Sequence, residues 1–281
     1  MKPISPWQAL LRHRSAQVGG TLLALIMLAA LAAPAMSAWD PIAVDTAHRL
    51  LPPGTEHWLG TDELGRDVFS RIVHGARWFV GIGLATLAAS AVPGIVLGLA
   101  AGIGPRWLNL LISGIADVLL SFPYVLLMLA VVAILGPSLG TAIIAVGIGG
   151  VPGYIRLVRG EVLALRQAEF VEALQALGAS RWQIARRALL PNIASPLVVY
   201  ASFVTPLSVL AAAALSFLGL GVQPPAPEWG AMLVNARNLL LTAWWATAAP
   251  GFAIFLAIFS TNLLGNALRD VLDPRSRWAA T

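Results

Sequence analysis

The chain has 281 residues, of which 58% are hydrophobic and 11% charged, about half the charge share of a soluble domain, so it reads as an all-α polytopic membrane protein. With no cysteine, a disulfide framework, a thiolate metal site and a cysteine nucleophile are excluded. Lys2 is the only lysine, which excludes a G-x-x-x-x-G-K-[ST] phosphate loop and ATP hydrolysis by that route; the net charge of +5 is read as membrane topology, not nucleic-acid binding.

The segment 1–17 carries Lys2, Arg12 and Arg14, and an uncharged run from Val18 to Trp39 follows. Small residues near its end resemble a cleavage site. The run is nevertheless long enough to span a bilayer, which favours an uncleaved first membrane helix at 18–38. An outer segment, 39–78, comes next. Its stretch LGTDELGRDVFSRIVHGAR (59–77) predicts an amphipathic helix capped by Thr61 or Asp62, with an acidic first turn. Asp62–Arg66 and Asp67–Arg71 have the i, i+4 spacing of surface pairs, worth about 0.3–0.5 kcal/mol each. Leu64, Val68, Ile72 and Gly75 would form its apolar face. Such a helix either orders the start of the next span or faces substrate.

Further spans are predicted at 79–103, 113–135, 138–155, 193–216 and 246–268, about six in all. Gly94, Gly98 and Gly102 form a repeated G-x-x-x-G, a packing seam. Asp117 is the sole charge inside a predicted span, and Ser121 lies four residues on. An intramembrane carboxylate is a candidate for the translocation path; the alternative is helix packing or a position near the helix end. Gly136-Pro137 marks a turn. Thirteen of the 18 lysines and arginines fall on one side of these spans, which places both termini, 1–17 and 269–281, in the cytoplasm.

The longest inner loop, 156–191, contains EFVEALQALGASRWQIARRALLPN (169–192). Phe170, Leu174 and Leu177 recur at helical spacing over 169–177. Gly178 suits a left-handed helix end. Ser180 and Gln183 have capping-box spacing. Trp182, Ala185 and Leu189 would share a face of the second helix, while Arg181, Arg186 and Arg187 could meet lipid phosphates or acidic partners. Three readings compete: helices lying on the membrane surface, a DNA-binding helix-turn-helix, and a rigid pair that docks in a partner's groove. The second fails because the loop is too short for a supporting third helix and is tied to spans at both ends. On the outer side, 217–245 holds QPPAPEWG: Pro224, Pro225 and Pro227 stiffen an extended segment, and Trp229 suits a membrane–water interface. The four histidines lie outside the spans and form no H-x-x-x-H pair, and no G-x-S-x-G is present.

Glu172, Ala173, Gly178, Leu190 and Pro191 resemble the "EAA" loop of ABC-importer permeases, with departures at Leu174, where alanine is usual, and at Ala188, where histidine or isoleucine is common. The 59–77 stretch, ALSFLGLGVQPPAPEWGAML (214–233) and DPR (273–275) resemble the dipeptide, oligopeptide and nickel permease group, and within it the C-type member of a permease pair. The resemblance implies a type I ABC-importer permease fold with its core over 79–268, in a bacterial inner membrane. It implies a homologous permease partner, two cytoplasmic ATPase subunits that hold ATP and Mg, and a periplasmic or lipid-anchored solute-binding protein; this chain would bind no cofactor. Glu169, Glu172, Ala173, Gly178, Ala179, Ser180, Leu190 and Pro191 would form the ATPase-coupling loop. Gln223, Pro224, Pro225 and Trp229 would lie at the outer mouth, near the docked binding protein. The implied cargo is a short peptide, with nickel complexes or glutathione as alternatives. A stand-alone secondary transporter is the rival of another class, but such carriers usually place ionisable groups mid-membrane, and Asp117 is all this chain offers.

Overall fold

The computed structural model describes residues 6–272; Lys2 and the DPR stretch at 273–275 lie outside the described residues. The helices are α1 (Pro6–Arg12), α2 (Arg14–Met36), α3 (Val68–Ile103), α4 (Arg106–Ser121), α5 (Tyr124–Leu135), α6 (Leu139–Leu165), α7 (Glu169–Ala176), α8 (Arg181–Ile184), α9 (Leu190–Phe217), α10 (Trp229–Ala236) and α11 (Trp244–Leu272). A π-helical turn, Ala185–Leu189, joins α8 to α9. Among the described residues, five helical runs are long and apolar enough to cross a membrane: α2, α3, α6, the run Arg181–Phe217, and α11.

The single span expected at 113–135 is instead two helices, α4 and α5, that meet at an angle of 96°. Proline is the cause. Pro123 cannot continue α4, and it forces Phe122 out of the helical region; Phe122 is extended, with φ −85° and ψ 136°.

The centre of the bundle is the contact between α3 and α6. Gly94, Gly98 and Gly102 lie against Tyr154, Val158 and Val162; a Cβ on Gly98 would sit 2.7 Å from that of Val158. The G-x-x-x-G seam is therefore internal packing of this chain, where absent side chains let two helices close up. Leu99, Val158, Val162 and Ile193 extend the same core towards the 169–190 loop.

The outer segment departs from the predicted helix at 59–77. The helix starts only at Val68, capped by Asp67, whose carboxylate accepts from the Ser70 N–H at 2.6 Å. Before it, Asp62 folds over its own turn, accepting from the backbone N–H of Leu64 (2.9 Å) and Arg66 (3.0 Å) and from Arg66 Nε (2.7 Å). Gly65 takes φ +75° in that turn. The local aspartate bonds outcompete a helix here. The Asp62–Arg66 pair thus exists, but across a tight turn and with side chains only 14% and 3% exposed; it is not a surface helix pair. Asp67 does not pair with Arg71, because its second oxygen meets His57 Nδ1 at 2.9 Å. Arg71 is buried and donates to the Pro41 carbonyl at 2.7 Å. Leu64 is exposed, whereas Val68 and Gly75 are buried and Ile72 half-buried.

Trp229 likewise faces the protein interior. It is buried, stacks on Phe79 at 5.6 Å between centroids, and donates its indole N–H to the Ile72 carbonyl at 3.0 Å. Gly75 has no side chain to occupy the space the indole fills. Trp245 donates to the Thr61 carbonyl at 3.1 Å. Arg71 and the Trp229 indole thereby bind segment 40–67 and loop 217–245 to the start of α3, and the Trp245 indole binds segment 40–67 to the start of α11.

Candidate functional site

The 169–190 loop is a rigid bracket on the end of the α3–α6 seam. Glu169 and Glu172 stand in the first turn of α7, where negative charge suits the helix dipole. The helix ends in a glycine motif: Ala179 N–H reaches the Leu174 carbonyl at 3.0 Å, and Gly178 has φ +80°. That is the left-handed conformation an L side chain resists. Ser180 and Gln183 form the capping box, with Ser180 N–H to Gln183 Oε1 at 2.8 Å and Gln183 N–H to Ser180 Oγ at 3.3 Å. Glu169, Glu172, Ala173, Gly178 and Ser180 are exposed, and Ala179 is half-buried.

Beyond the cap the chain does not break at Pro191. Leu190 N–H reaches back five residues to the Ala185 carbonyl, so the hydrogen-bond ladder shifts just before the residue that has no N–H. Leu190 is half-buried and Pro191 exposed. Arg181–Phe217 is consequently one helical run of 37 residues, about 55 Å long. Its root is fixed by buried Ile184, Ala188, Leu189 and Ile193, which pack with Val158, Val162 and Val171. Arg166 Nη1 adds a hydrogen bond to the Gly102 carbonyl at 2.7 Å.

The apolar faces of the two helices are only partly buried. Val171 and Leu174 turn inward on α7, while Phe170 is 42% and Leu177 84% exposed. On the second helix Ala185 and Leu189 are buried, but Trp182 is 67% exposed. Val171 and Leu174, three residues apart, already cover the α7 stripe that meets the bundle. Phe170, Leu177 and Trp182 are thereby left as large apolar groups on an otherwise charged bracket, with Arg181, Arg186 and Arg187 exposed beside them.

On the outer side Gln223, Pro224 and Pro225 are exposed. The Gln223 amide donates to the carbonyls of Gly219 (3.1 Å) and Gly221 (3.0 Å). The structure separates these three from Trp229, which lies in the core. Glu228 was not singled out by its sequence. It is buried and caps α10, accepting from the N–H groups of Gly230 at 2.9 Å and Ala231 at 2.7 Å. Burial pushes its carboxyl above the usual range, against the pull of those bonds. The acid directly before an indole at a loop-to-helix junction was the available signal.

Asp117 and Ser121 are not brought together. Asp117 accepts from Arg156 Nη2 at 2.8 Å, with both side chains exposed, and the Ser121 hydroxyl turns to the Val118 carbonyl at 2.7 Å. The structure also shows an open cavity of about 460 Å³ between α5, α6 and α9, lined by Tyr124, Gly149, Gly153, Tyr200 and Ser208 among others. No periodicity announces it. The one sequence signal is that the chain's three tyrosines all fall inside apolar runs.

Residues 94–278 match the family described as binding-protein-dependent transport system inner membrane component. The chain belongs to this permease family. Residues 5–53 match the N-terminal TM domain of oligopeptide transport permease C. The permease is 42% identical to the dipeptide transport system permease protein of Alkalihalophilus pseudofirmus, over 98% of this chain and 91% of that one. It is also 42% identical to the probable D,D-dipeptide transport system permease protein of Escherichia coli K12, over 91% and 86%, and to the glutathione transport system permease protein of Pectobacterium atrosepticum, over 96% and 90%. In fold it resembles a chain of the MetNI methionine ABC transporter solved in inward-facing conformations, with TM-score 0.58 and 20% identity over 72% of this chain and 97% of that one. The permease is thus a multi-pass inner-membrane subunit of an ABC importer.

Proposed function

We propose that this permease moves short peptides inward, driven by ATP hydrolysis on separate subunits and coupled to it through the 169–190 bracket. One observation carries the reading. Phe170, Leu177 and Trp182 are exposed on a short, capped helix pair whose inner face is fixed to the bundle. Apolar anchors on a preorganised frame suit insertion into a partner's groove. Glu169, Glu172, Ala173, Gly178, Ala179, Ser180, Leu190 and Pro191 shape that frame, and the exposed arginines suit an acidic rim.

The partners in this reading are a homologous permease, two cytoplasmic ATPase subunits carrying ATP and Mg, and a solute-binding protein that meets the outer loop near Gln223–Pro225. Both termini are cytoplasmic. Closure of the ATPases displaces α7 and α8. The displacement passes along the unbroken 37-residue run into α9, which tilts against α6 and switches the side of access. Solute and nucleotide bias the same two-state equilibrium only if each binds the two states unequally. Relatives named for dipeptide and for glutathione transport support a peptide-like cargo.

The test is the double variant Glu172→Ala with Gly178→Asp in the assembled transporter. Uptake should fail while membrane insertion persists. Wild-type uptake by a correctly inserted double variant would remove the bracket from the mechanism.

A further inference from the structure

Tyr124 and Tyr200 line the open cavity of about 460 Å³, and Tyr154 meets the Tyr200 ring edge-on at 4.8 Å. The cavity is walled by the middle of two long apolar helices and by the second half of α9. Gly149 and Gly153 are near the middle of the 27-residue α6, and Tyr200 and Val204 near the middle of the 28-residue α9. Leu120 and Tyr124, on either side of the break between α4 and α5, complete the wall. Phe122 and Pro123, within the break, are exposed, and α5 has no side-chain cap. Helix ends leave backbone groups without intrahelical partners. Lipid cannot satisfy them, so irregular backbone at membrane depth persists only where protein covers it or water reaches it. Water in the cavity, which borders the break at Leu120 and Tyr124, would satisfy them.

The glycines shape the wall. A Cβ on Gly149 would collide with the Tyr124 ring, and one on Gly153 with the Tyr200 hydroxyl. Each glycine is thus the seat of one tyrosine, one turn of α6 apart. No carboxylate, guanidinium or ammonium lines the cavity; its polar side chains are Tyr124, Tyr200 and Ser208. Its volume is in the range of small-molecule sites, about 300–1,000 Å³.

We propose that this cavity is the part of the solute path that the chain supplies, with Tyr124 and Tyr200, seated on Gly149 and Gly153, as its solute-contacting polar residues. The proposal rests on the import reading above. The Tyr124 hydroxyl donates to the Val146 carbonyl at 3.3 Å, so it offers a peptide an acceptor oxygen, and a peptide passing here is held by apolar contact and by tyrosine hydroxyls on its amide groups, not by ion pairs. Asp117 and Ser121, earlier candidates for the path, do not line the cavity.

The chain has no cysteine, so single thiols report water access cleanly. Val204→Cys and Ala214→Cys, both at the cavity, and Leu28→Cys, exposed on the unbroken α2, are placed in the complete transporter in proteoliposomes. The probe is the cationic reagent trimethylammonium-ethyl methanethiosulfonate, with the wild-type chain in the same complex as background. Thiolates form and react only where water reaches them, so the two cavity thiols should react at least about tenfold faster than Cys at position 28, and reaction should stop ATP-driven uptake of labelled dialanine. Rates no faster than at position 28 mean that lipid or a partner helix fills the cavity, and overturn the proposal alone. Unreacted variants and wild type that accumulate no dialanine on ATP addition would instead overturn the import reading on which it rests.

Discussion

Gly178 isolates the backbone contribution to the bracket. It has φ +80°, and nothing lies within 4 Å of where a Cβ would sit. A substitution there meets no steric wall, so its cost is conformational alone. An L residue in the left-handed region costs about 1–2 kcal/mol, and asparagine is the tolerated exception. A penalty of that size lowers the population of the native turn by a factor of about 5–30. The expected order of ATP-driven uptake is therefore Gly178, then Gly178→Asn, then Gly178→Ala, then Gly178→Val, the last burdened further by its β-branch. Uptake and solute-stimulated ATP hydrolysis should fall together, while insertion and thermal unfolding of the membrane core stay near wild type, because Gly178 supports no core contact. Uptake by the valine variant equal to wild type would refute the argument that this turn must be held; so would an asparagine variant worse than valine.

Gly98→Leu should destabilise the bundle by about 1–3 kcal/mol as overpacking, since a Cβ there already meets Val158 Cβ at 2.7 Å and the Ile155 carbonyl at 3.1 Å; thermal unfolding in detergent reads it. Trp229→Phe keeps an aromatic ring beside Phe79 but loses the indole bond to Ile72, for a loss of about 1 kcal/mol by the same measurement. Glu228→Ala removes the α10 cap and should cost about 1 kcal/mol, whereas Glu228→Gln retains an acceptor. Because burial raises the Glu228 carboxyl, the folded state holds its proton more strongly than the unfolded one. That contribution is present at low pH and is lost as pH rises from the ordinary carboxylate value through the raised one. Unfolding midpoints across that window should fall for wild type and stay flatter for Glu228→Gln.

The parts legible in the sequence were those governed by local chemistry. Apolar length located most of the spans, Gly178 and the Ser180–Gln183 spacing located the bracket's turn and cap, and the glycine repeat located the α3 side of a packing seam whose partner, α6, only the structure identifies. Misreadings arose where tertiary partners competed for the same group. Asp67 has the spacing to pair with Arg71, yet it caps a helix and meets His57, while Arg71 goes to the Pro41 carbonyl. Trp229 has the composition of an interface residue, but Gly75, distant in sequence, makes room for it in the core. The broken span was written in Pro123 and hidden by unbroken hydropathy on both sides. The tyrosine cavity is assembled from three helices, and no window along one of them contains it.

The most direct test of the central claim is recovery of partners with the tagged chain from its native membrane, compared between wild type and a Leu177→Asp/Trp182→Asp variant. Both residues are exposed and support no core contact, so the variant should fold and insert. Wild type should bring a second permease and ATPase subunits; the variant should keep the permease and lose the ATPases. ATPase recovery at the wild-type level with the variant, or a wild-type chain that comes out alone and folded, would contradict the account.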